Sequence, residues 1–113
     1  MFEIKEIIEN DLGILVISGE MLDMEATQLN DKVKSLAQKG IKKIILDLKN
    51  VRRLNSCFGL GVLAGCWGCM NRVHGQLKIV NPSPKVAQLL KMTKLDQIFE
   101  VFPSLSEAKQ SIF

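Results

Sequence analysis

Apolar and polar residues alternate in two short segments at the start of the chain, residues 2–9 and residues 12–18. Both segments are rich in β-branched side chains, a composition typical of strands. Asn10 and Asp11 stand between the segments and suit a tight two-residue turn. The pattern therefore predicts that the chain begins with a β-hairpin.

The spacing of apolar residues then changes to that of a helix. Three of them share one face of the helix predicted over residues 24–39: Leu29, Val33 and Leu36. Gly40 follows at a point where a helix often ends in a left-handed residue. Residues 41–48 hold a short apolar run bounded by charged residues, which is typical of a strand covered on both faces. We therefore expect residues 41–48 to form a central strand of the sheet.

A second helix is predicted within residues 55–74, because residues 59–73 are apolar or small on most sides of a helix. We expect its glycines to let it pack closely against the sheet and Gly75 to end it. Residues 54–70 contain no Asp, Glu, Lys or Arg, but this run of 17 residues is shorter than a bilayer span, which needs about 20 apolar residues. The run therefore predicts a buried helix and not a membrane span.

The rest of the chain predicts shorter elements. Residues 76–80 alternate as a strand, residues 81–84 form a proline-containing turn, and residues 85–92 place apolar side chains on one helix face. Residues 98–102 suit a short edge strand, and a serine within residues 104–107 can cap a last helix. With right-handed crossovers between parallel strands, the order ββαβαβα(β)α predicts an α/β fold with a mixed sheet of four to five strands and about four helices.

Composition limits the classes of function. At 113 residues, with 47% hydrophobic and 24% charged residues, the chain is long enough for one domain spanning residues 1–113 and too short for a multidomain enzyme. The net charge of +3 comes from cations spread along the chain, so nucleic acid is not an expected partner. Three cysteines, an odd number, favour a reducing compartment over a secreted disulfide framework. Charged residues among the apolar ones at the N-terminus argue against a signal peptide, and we expect a cytoplasmic protein.

The carboxyl end of the predicted central strand and the start of the next helix form a natural site edge. Residues 54–59 lie there, and the backbone N–H groups of a helix start favour anionic groups. A phosphate on Ser56 would be stabilised at this position. The same pattern has a plainer interpretation, in which Asn55 or Ser56 simply caps the helix.

The chain resembles, over nearly its whole length, a STAS domain of the bacterial anti-sigma factor antagonist type, and residues 44–65 and 75–108 carry this resemblance. In that family a strand ending in Asp-Leu leads through a short loop to an Asp-Ser-Ser-Gly-Leu-Gly type motif. Here residues 47–48 are Asp-Leu and residues 59–61 are Gly-Leu-Gly, in matching places. A later segment similar to residues 81–84 also recurs in the family.

The resemblance implies a STAS fold and a non-enzymatic regulator with no cofactor, no metal, no nucleic acid and no membrane span. It implies partner switching, in which the unphosphorylated domain binds an ATP-dependent serine kinase that is also an anti-sigma factor, and the phosphorylated domain releases it. A serine phosphatase would then restore the unphosphorylated form. Docking is expected through residues 55–61 and the neighbouring residues 21–25.

The motif departs from the family pattern at the acceptor position. Aligned from the strand side, Asn55 takes the place of the family's Asp and Ser56 that of its first Ser. Cys57 then takes the place of the Ser that is usually phosphorylated, and Phe58 is an extra residue before Gly59. Aligned from the glycine side, Phe58 occupies the acceptor position. Because Ser56 supplies the hydroxyl in this segment, it is the candidate phosphoacceptor.

The resemblance also assigns Asp23 to the partner-binding and switch loop. The family reads Gly-x-Leu-Asp there, whereas Asp23 comes one position late, in Gly-Glu-Met-Leu-Asp. Four apolar residues could line the interface or fold back into the core: Met21, Leu22, Met24 and Phe58. A phosphoryl group adds roughly −1.5 to −2 charge at pH 7, which an exposed helix start tolerates and a packed apolar interface does not. Phosphorylation would therefore end binding.

Two alternatives stay open, a phosphorylation-independent STAS scaffold and a thiol-redox protein that uses Cys57 at the helix start. Cys66 and Cys69 have C-x-x-C spacing, but they lie about two to three turns inside the predicted helix, whereas catalytic pairs lie at a helix start. Buried small apolar residues are therefore the favoured interpretation of this pair. A zinc site is poorly supported, because His74 is the sole histidine and a structural site needs four well-placed ligands.

Overall fold

The computed structural model describes residues 2–54 and 58–112, with the side chains of residues 23, 54, 58–60 and 112 left undescribed. Five strands of this part of the chain form one mixed sheet in the order β1-β2-β3-β4-β5. The strands are Glu3–Glu9 (β1), Leu12–Met21 (β2), Lys43–Leu54 (β3), Gln76–Val80 (β4) and Glu100–Phe102 (β5). β1 runs antiparallel to β2, and the other neighbouring pairs are parallel.

Four α-helices connect or follow these strands: Asp23–Gln38 (α1), Phe58–Arg72 (α2), Pro84–Met92 (α3) and Leu105–Ile112 (α4). A short 3₁₀ turn, Leu95–Gln97, stands between α3 and β5. The element order agrees with the predicted ββαβαβα(β)α, and the sheet is mixed as expected. The α/β architecture predicted from the sequence is therefore confirmed.

The two faces of the sheet bury separate clusters of apolar side chains. Helices α1, α2 and α3 cover the larger cluster, which includes Leu15, Ile17, Leu29, Val33, Ile44, Leu46, Leu63, Met70, Val86 and Leu90. Helix α4 covers the smaller one, which consists of Leu12, Ile14, Ile45, Val80 and Ala108. Because successive residues of a strand point to opposite faces, Ile44 and Leu46 join the first cluster and Ile45 the second. This explains why the centre of β3 is apolar without alternation.

The N-terminal hairpin forms where the sequence predicts it. Asn10 takes a φ of 58°, in the left-handed region that Asn tolerates well, and the chain reverses between Glu9 and Leu12, which pair across the hairpin. Helix α1 then ends near the expected glycine, since Gly40 has a φ of 91°. The predicted face of α1 is buried: Leu29 at 0%, Val33 at 0% and Leu36 at 2% exposure.

The described glycines of α2, Gly61, Gly65 and Gly68, do not bring the helix close to the sheet, so for these three the prediction is wrong. Three buried side chains hold α2 in the main core: Leu63, Cys66 and Met70. A Cβ added at Gly61 or Gly68 would meet nothing within 4 Å, and one at Gly65 would lie 3.8 Å from the Asn30 side-chain oxygen of α1. These three glycines therefore lie on the outward side of the helix and beside α1, while larger residues make the sheet contact.

β3 is longer than the segment predicted over residues 41–48. Its pairing with β4 ends at Asp47 opposite Val80, whereas its pairing with β2 continues to Leu54 opposite Met21. Shifts in register occur near Ser18 and Gly19 of β2. The second half of β3 therefore extends past the end of β4 and carries the chain to the carboxyl edge of the sheet.

Candidate functional site

The two strands that precede the predicted docking segments, residues 21–25 and residues 55–61, end side by side in the fold. Met21 lies opposite Leu54 at the ends of the parallel strands β2 and β3. Helix α1 begins two residues after Met21, and α2 begins at residue 58, shortly after Leu54. Because parallel strands end at the same edge of a sheet, the starts of both helices lie at that edge.

Most of the predicted site residues lie wholly or partly outside the described part of the chain. Asn55, Ser56 and Cys57 lie outside the described residues, as do the side chains of Asp23 and Phe58. By backbone, Asp23 is the first residue of α1, and Phe58 and Gly59 are the first two residues of α2. The roles assigned to these six residues stay predictions.

The apolar residues around the start of α1 divide between core and surface. Met21 is 1% exposed and belongs to the main core, so for Met21 the core alternative is correct. Met24, in the first turn of α1, is 76% exposed, and Leu22 is half-buried. Among the described side chains of this edge, Met24 is therefore the large apolar group exposed at the surface.

Basic side chains gather at the end of β3, which the even spread of charge along the sequence did not predict. Arg52 and Arg53 are exposed on the part of β3 that extends past β4, while Val51 between them and the centre of the strand is buried. The Nη1 atom of Arg53 lies 3.3 Å from the Oε2 atom of Glu20 on β2. Lys49, in the same half of β3, is also exposed.

The start of α3 lies next to these residues. Ser83 caps the helix by accepting a hydrogen bond from the Val86 amide at 3.3 Å, and Pro84 occupies the first helical position. Lys85 follows in the first turn and, with Arg52 and Arg53, lines a cavity of about 80 Å³ whose apolar wall comes from Val86 and Leu89. The sequence did indicate part of this cavity, because Arg52 and Arg53 are adjacent and precede the predicted site edge. It did not indicate that Lys85 would lie next to them.

Comparison with known proteins identifies the family. A model of the STAS domain matches residues 3–108. The chain belongs to the STAS domain family. This STAS domain is 32% identical over 107 residues to a candidate anti-sigma factor antagonist of Thermotoga maritima, which covers 93% of both chains. It is also 33% identical over 93 residues to the anti-sigma-B factor antagonist of Bacillus subtilis, which covers 82% of this chain and 83% of that protein.

Solved structures share the fold of this STAS domain. The crystal structure of the Thermotoga maritima protein superposes with a TM-score of 0.85 over 96% of this chain and 93% of that one, at 26% identity. The anti-sigma factor antagonist SpoIIAA superposes at 18% identity in its unphosphorylated form, with a TM-score of 0.82 over 99% and 96% of the two chains. Its phosphorylated form gives a TM-score of 0.76 over the whole of both chains. The predicted STAS fold is confirmed, and membership places the chain among regulatory binding proteins, not enzymes.

The C-x-x-C pair of this STAS domain lies inside α2, as the spacing indicated. Cys66 is fully buried, with its Sγ atom 3.9 Å from the Asn30 Oδ1 atom, and Cys69 is half-buried; both thiols are free. Burial, with a smaller contribution from the neighbouring Cys69, raises the pKa of the Cys66 thiol from 9.0 to about 12. Because the thiolate is the reactive form, Cys66 is poorly suited to thiol exchange near neutral pH.

Within the described ranges 2–54 and 58–112, no three side chains among His, Cys, Asp and Glu are grouped so that they could hold a metal ion. His74 stands just after α2 with a φ of 59°, exposed at the helix end, where the sequence suggested it. None of the helices in this part of the chain has the length and apolar character required to cross a bilayer.

Proposed function

We propose that this STAS domain is an anti-sigma factor antagonist that acts by partner switching. In its unphosphorylated form it binds an anti-sigma factor that is also a serine kinase, and a phosphate at Ser56 ends that binding. The observation that carries the proposal is the pairing of Met21 with Leu54, which puts the starts of α1 and α2 at one edge of the sheet. The names of the relatives at 32% and 33% identity support an anti-sigma factor as the partner.

The geometry of this edge suits a protein interface. Helices α1 and α2 both begin there, and the 76% exposed Met24 offers a flexible apolar side chain that adapts to a partner surface. Arg52 and Arg53 flank the same edge with positive charge. An apolar contact with a charged rim is the usual composition of a regulated protein interface.

A phosphate on Ser56 would act through charge and desolvation. It adds roughly −1.5 to −2 charge, which a partner in contact with residues 55–61 would have to bury at a cost of several kcal/mol. The N–H groups at the start of α2 and the nearby arginines would stabilise the charge in the free domain. The determination of SpoIIAA in phosphorylated and unphosphorylated forms supports a switch of this kind in a protein of the same fold. A cytoplasmic serine phosphatase would reverse the modification.

The position of Cys57 favours one specific alternative. Because Cys57 stands where the family has its usual acceptor serine, the domain could bind its partner without control by phosphorylation. Such a domain would be a constitutive antagonist or scaffold, and the same docking edge would serve it. The two functions differ in whether negative charge at Ser56 changes affinity.

The test uses the purified anti-sigma factor kinases encoded in the source genome. Each kinase is incubated with the full chain and ATP, phosphate is located by mass spectrometry of residues 54–72, and affinity is measured by calorimetry. We expect a phosphate on Ser56, and a loss of affinity of about tenfold or more in Ser56→Asp because of the buried charge. Ser106→Asp, at an exposed position of α4, serves as the matched control and should bind as the parent does.

Two results would count against the proposal. Binding of an anti-sigma factor with no phosphate on Ser56 and equal affinity for Ser56→Asp would establish the constitutive alternative. Failure of every anti-sigma factor of the organism to bind the unphosphorylated chain would remove the antagonist function itself.

A further inference from the structure

The cavity between β3 and α3 is the feature of the described surface that the switch at residues 55–59 does not explain. Arg52 and Arg53 reach it from the end of β3, and Lys85 reaches it from the first turn of α3. Val86, which is 1% exposed, and the half-buried Leu89 form its apolar wall. We call this site the β3–α3 cavity.

The positive charge of the β3–α3 cavity is only partly neutralised by the described part of the molecule. The Oε2 atom of Glu20 lies 3.3 Å from the Nη1 atom of Arg53. Among the described side chains, no carboxylate forms an ion pair with Arg52 or with Lys85. The first turn of α3 holds no acidic residue, although a carboxylate there would stabilise the helix start and Lys85 does the opposite. The cavity therefore keeps an excess of positive charge, which lowers the stability of the start of α3. An anionic group from a partner would offset this loss.

The size and lining of the cavity define the chemistry of that group. A volume of about 80 Å³ corresponds to roughly two or three water molecules at their liquid volume. It has room for the end of one acidic side chain, with the carboxylate between Arg52 and Lys85 and the methylenes against Leu89. Arginine holds a carboxylate through two parallel hydrogen bonds, which makes such a pair specific in geometry as well as charge.

The surroundings favour a protein segment over a nucleic acid. Among the described residues that line the cavity, none has an aromatic side chain on which a base could stack. Across the first turn of α3 lies an open groove of about 650 Å³, lined mainly by Pro82, Pro84, Val101 and Phe102, with Lys49 of β3 at its rim. An acidic chain that also carries apolar side chains would fill the groove and place its carboxylates near the cations.

We propose that the β3–α3 cavity binds a glutamate side chain from an acidic, partly apolar segment of the protein partner. The identity of that partner as an anti-sigma factor rests on the proposed function, but the recognition of an acidic segment does not. The cavity lies beside the docking edge, because Arg53 immediately precedes Leu54, so one partner can occupy both. The ion pair then adds affinity and orientation that do not depend on the state of Ser56.

The first test uses a defined probe and needs no natural partner. The ¹⁵N-labelled full chain is titrated with an end-blocked peptide of alternating Glu and Leu, and separately with the same peptide carrying Gln in place of Glu. We expect the Glu peptide to shift the amide signals of Arg52, Lys85 and Leu89, and the Gln peptide to leave them unchanged. Equal binding of the two peptides, or shifts confined to other parts of the chain, would overturn the proposal.

Charge reversal provides the variants. Arg52→Glu and Lys85→Glu should each weaken binding of the Glu peptide and of the anti-sigma factor by about tenfold or more. Lys34→Glu, at an exposed position of α1, is the matched control and should change neither affinity more than about twofold, as expected for a remote surface charge. Thermal melts of all three variants establish that they are folded. Arg52→Lys should recover part of the loss, because the charge returns without the two-pronged geometry.

Further outcomes separate this proposal from the function proposed above. If the anti-sigma factor binds but Arg52→Glu and Lys85→Glu bind as tightly as the parent, the cavity proposal fails and the antagonist function stands. If the Glu peptide binds at the cavity and no anti-sigma factor does, the cavity proposal stands and the antagonist function fails. Tighter binding of a single-stranded oligonucleotide than of the Glu peptide at the same residues would overturn the choice of an acidic protein segment.

Discussion

Gly75 packs directly against the backbone of Lys42. A Cβ added at Gly75 would lie 2.5 Å from the Lys42 carbonyl oxygen and 2.7 Å from the Met70 side chain. The same carbonyl accepts a hydrogen bond from the Gln76 amide at 2.7 Å, so it cannot move away without loss of the contact that starts β4 beside β3. The close approach of this backbone to that of Lys42 therefore explains why a glycine stands between α2 and β4.

Substitution of Gly75 should accordingly cost stability. We expect Gly75→Ala to lower the free energy of unfolding by about 1–3 kcal/mol, because an overpacked site must displace backbone. Gly68→Ala is the matched control, since a Cβ there meets nothing within 4 Å. In a helix interior this control should raise the free energy of unfolding by up to about 1 kcal/mol. Urea denaturation measures both changes, and a neutral Gly75→Ala variant would contradict the close contact.

At Lys94, in contrast, substitution by glycine should increase stability. Lys94 has a φ of 62° between α3 and the 3₁₀ turn. A residue with a Cβ is disfavoured in this left-handed region, whereas glycine is not. We expect Lys94→Gly to raise the free energy of unfolding by about 0.5–1 kcal/mol, after the entropy gained by the unfolded chain is subtracted. Lys91→Gly, within α3, should lower it by about 1 kcal/mol. Equal destabilisation by the two variants in urea melts would show that Lys94 is not strained.

Met21 and Met24 should separate stability from binding. Met21→Ala is expected to lower the free energy of unfolding by about 2–5 kcal/mol, because Met21 is 1% exposed and its truncation leaves a cavity. Met24→Ala should change it by less than about 0.5 kcal/mol, since Met24 is 76% exposed. If the start of α1 contacts the anti-sigma factor, Met24→Ala should still weaken that complex in calorimetry. An unchanged affinity would remove Met24 from the interface.

Cys66 should make stability depend on pH in the alkaline range. Its folded pKa is raised to about 12 from 9.0, so the unfolded thiol loses its proton first as the pH increases. The stabilisation is fully present below pH 9 and is lost between about pH 9 and pH 12, with a slope of at most about 1.4 kcal/mol per pH unit. The measurement is the difference in this slope between the parent and Cys66→Ala, taken from urea melts at successive pH values. Cys69→Ala controls for the half-buried thiol, and equal slopes in parent and Cys66→Ala would refute the pKa shift.

Local sequence patterns were sufficient to predict contacts between residues of the same helix or strand. Leu29, Val33 and Leu36 are buried on one face of α1 because the 3.6-residue period alone puts them together. The Ser104 Oγ atom accepts a hydrogen bond from the Glu107 amide at 3.2 Å, as expected of a serine before the last helix. These predictions succeeded because the interacting atoms are a few residues apart in the chain.

Patterns failed where a distant strand supplies the partner. Residues 49–54 lack a regular apolar period, yet they extend β3 because β2 pairs with them as far as Met21. Lys78 within β4 is 6% exposed, and the carboxylate of Glu100 on β5 makes this burial tolerable by forming an ion pair with its ammonium group. Neither outcome is encoded in the neighbouring residues alone.

The amino-acid sequence by itself determined the order and type of the elements, the STAS family and the edge at which function is expected, because periodicity, turn residues and motifs act over short distances. The tertiary structure decided which of those residues meet. It buried Met21 and exposed Met24, turned Gly61 and Gly68 of α2 away from the sheet, and brought Lys85 to Arg52 across the end of β4. Packing and strand pairing are long-range interactions, and charge that is evenly spread along a chain becomes a site only when the fold concentrates it.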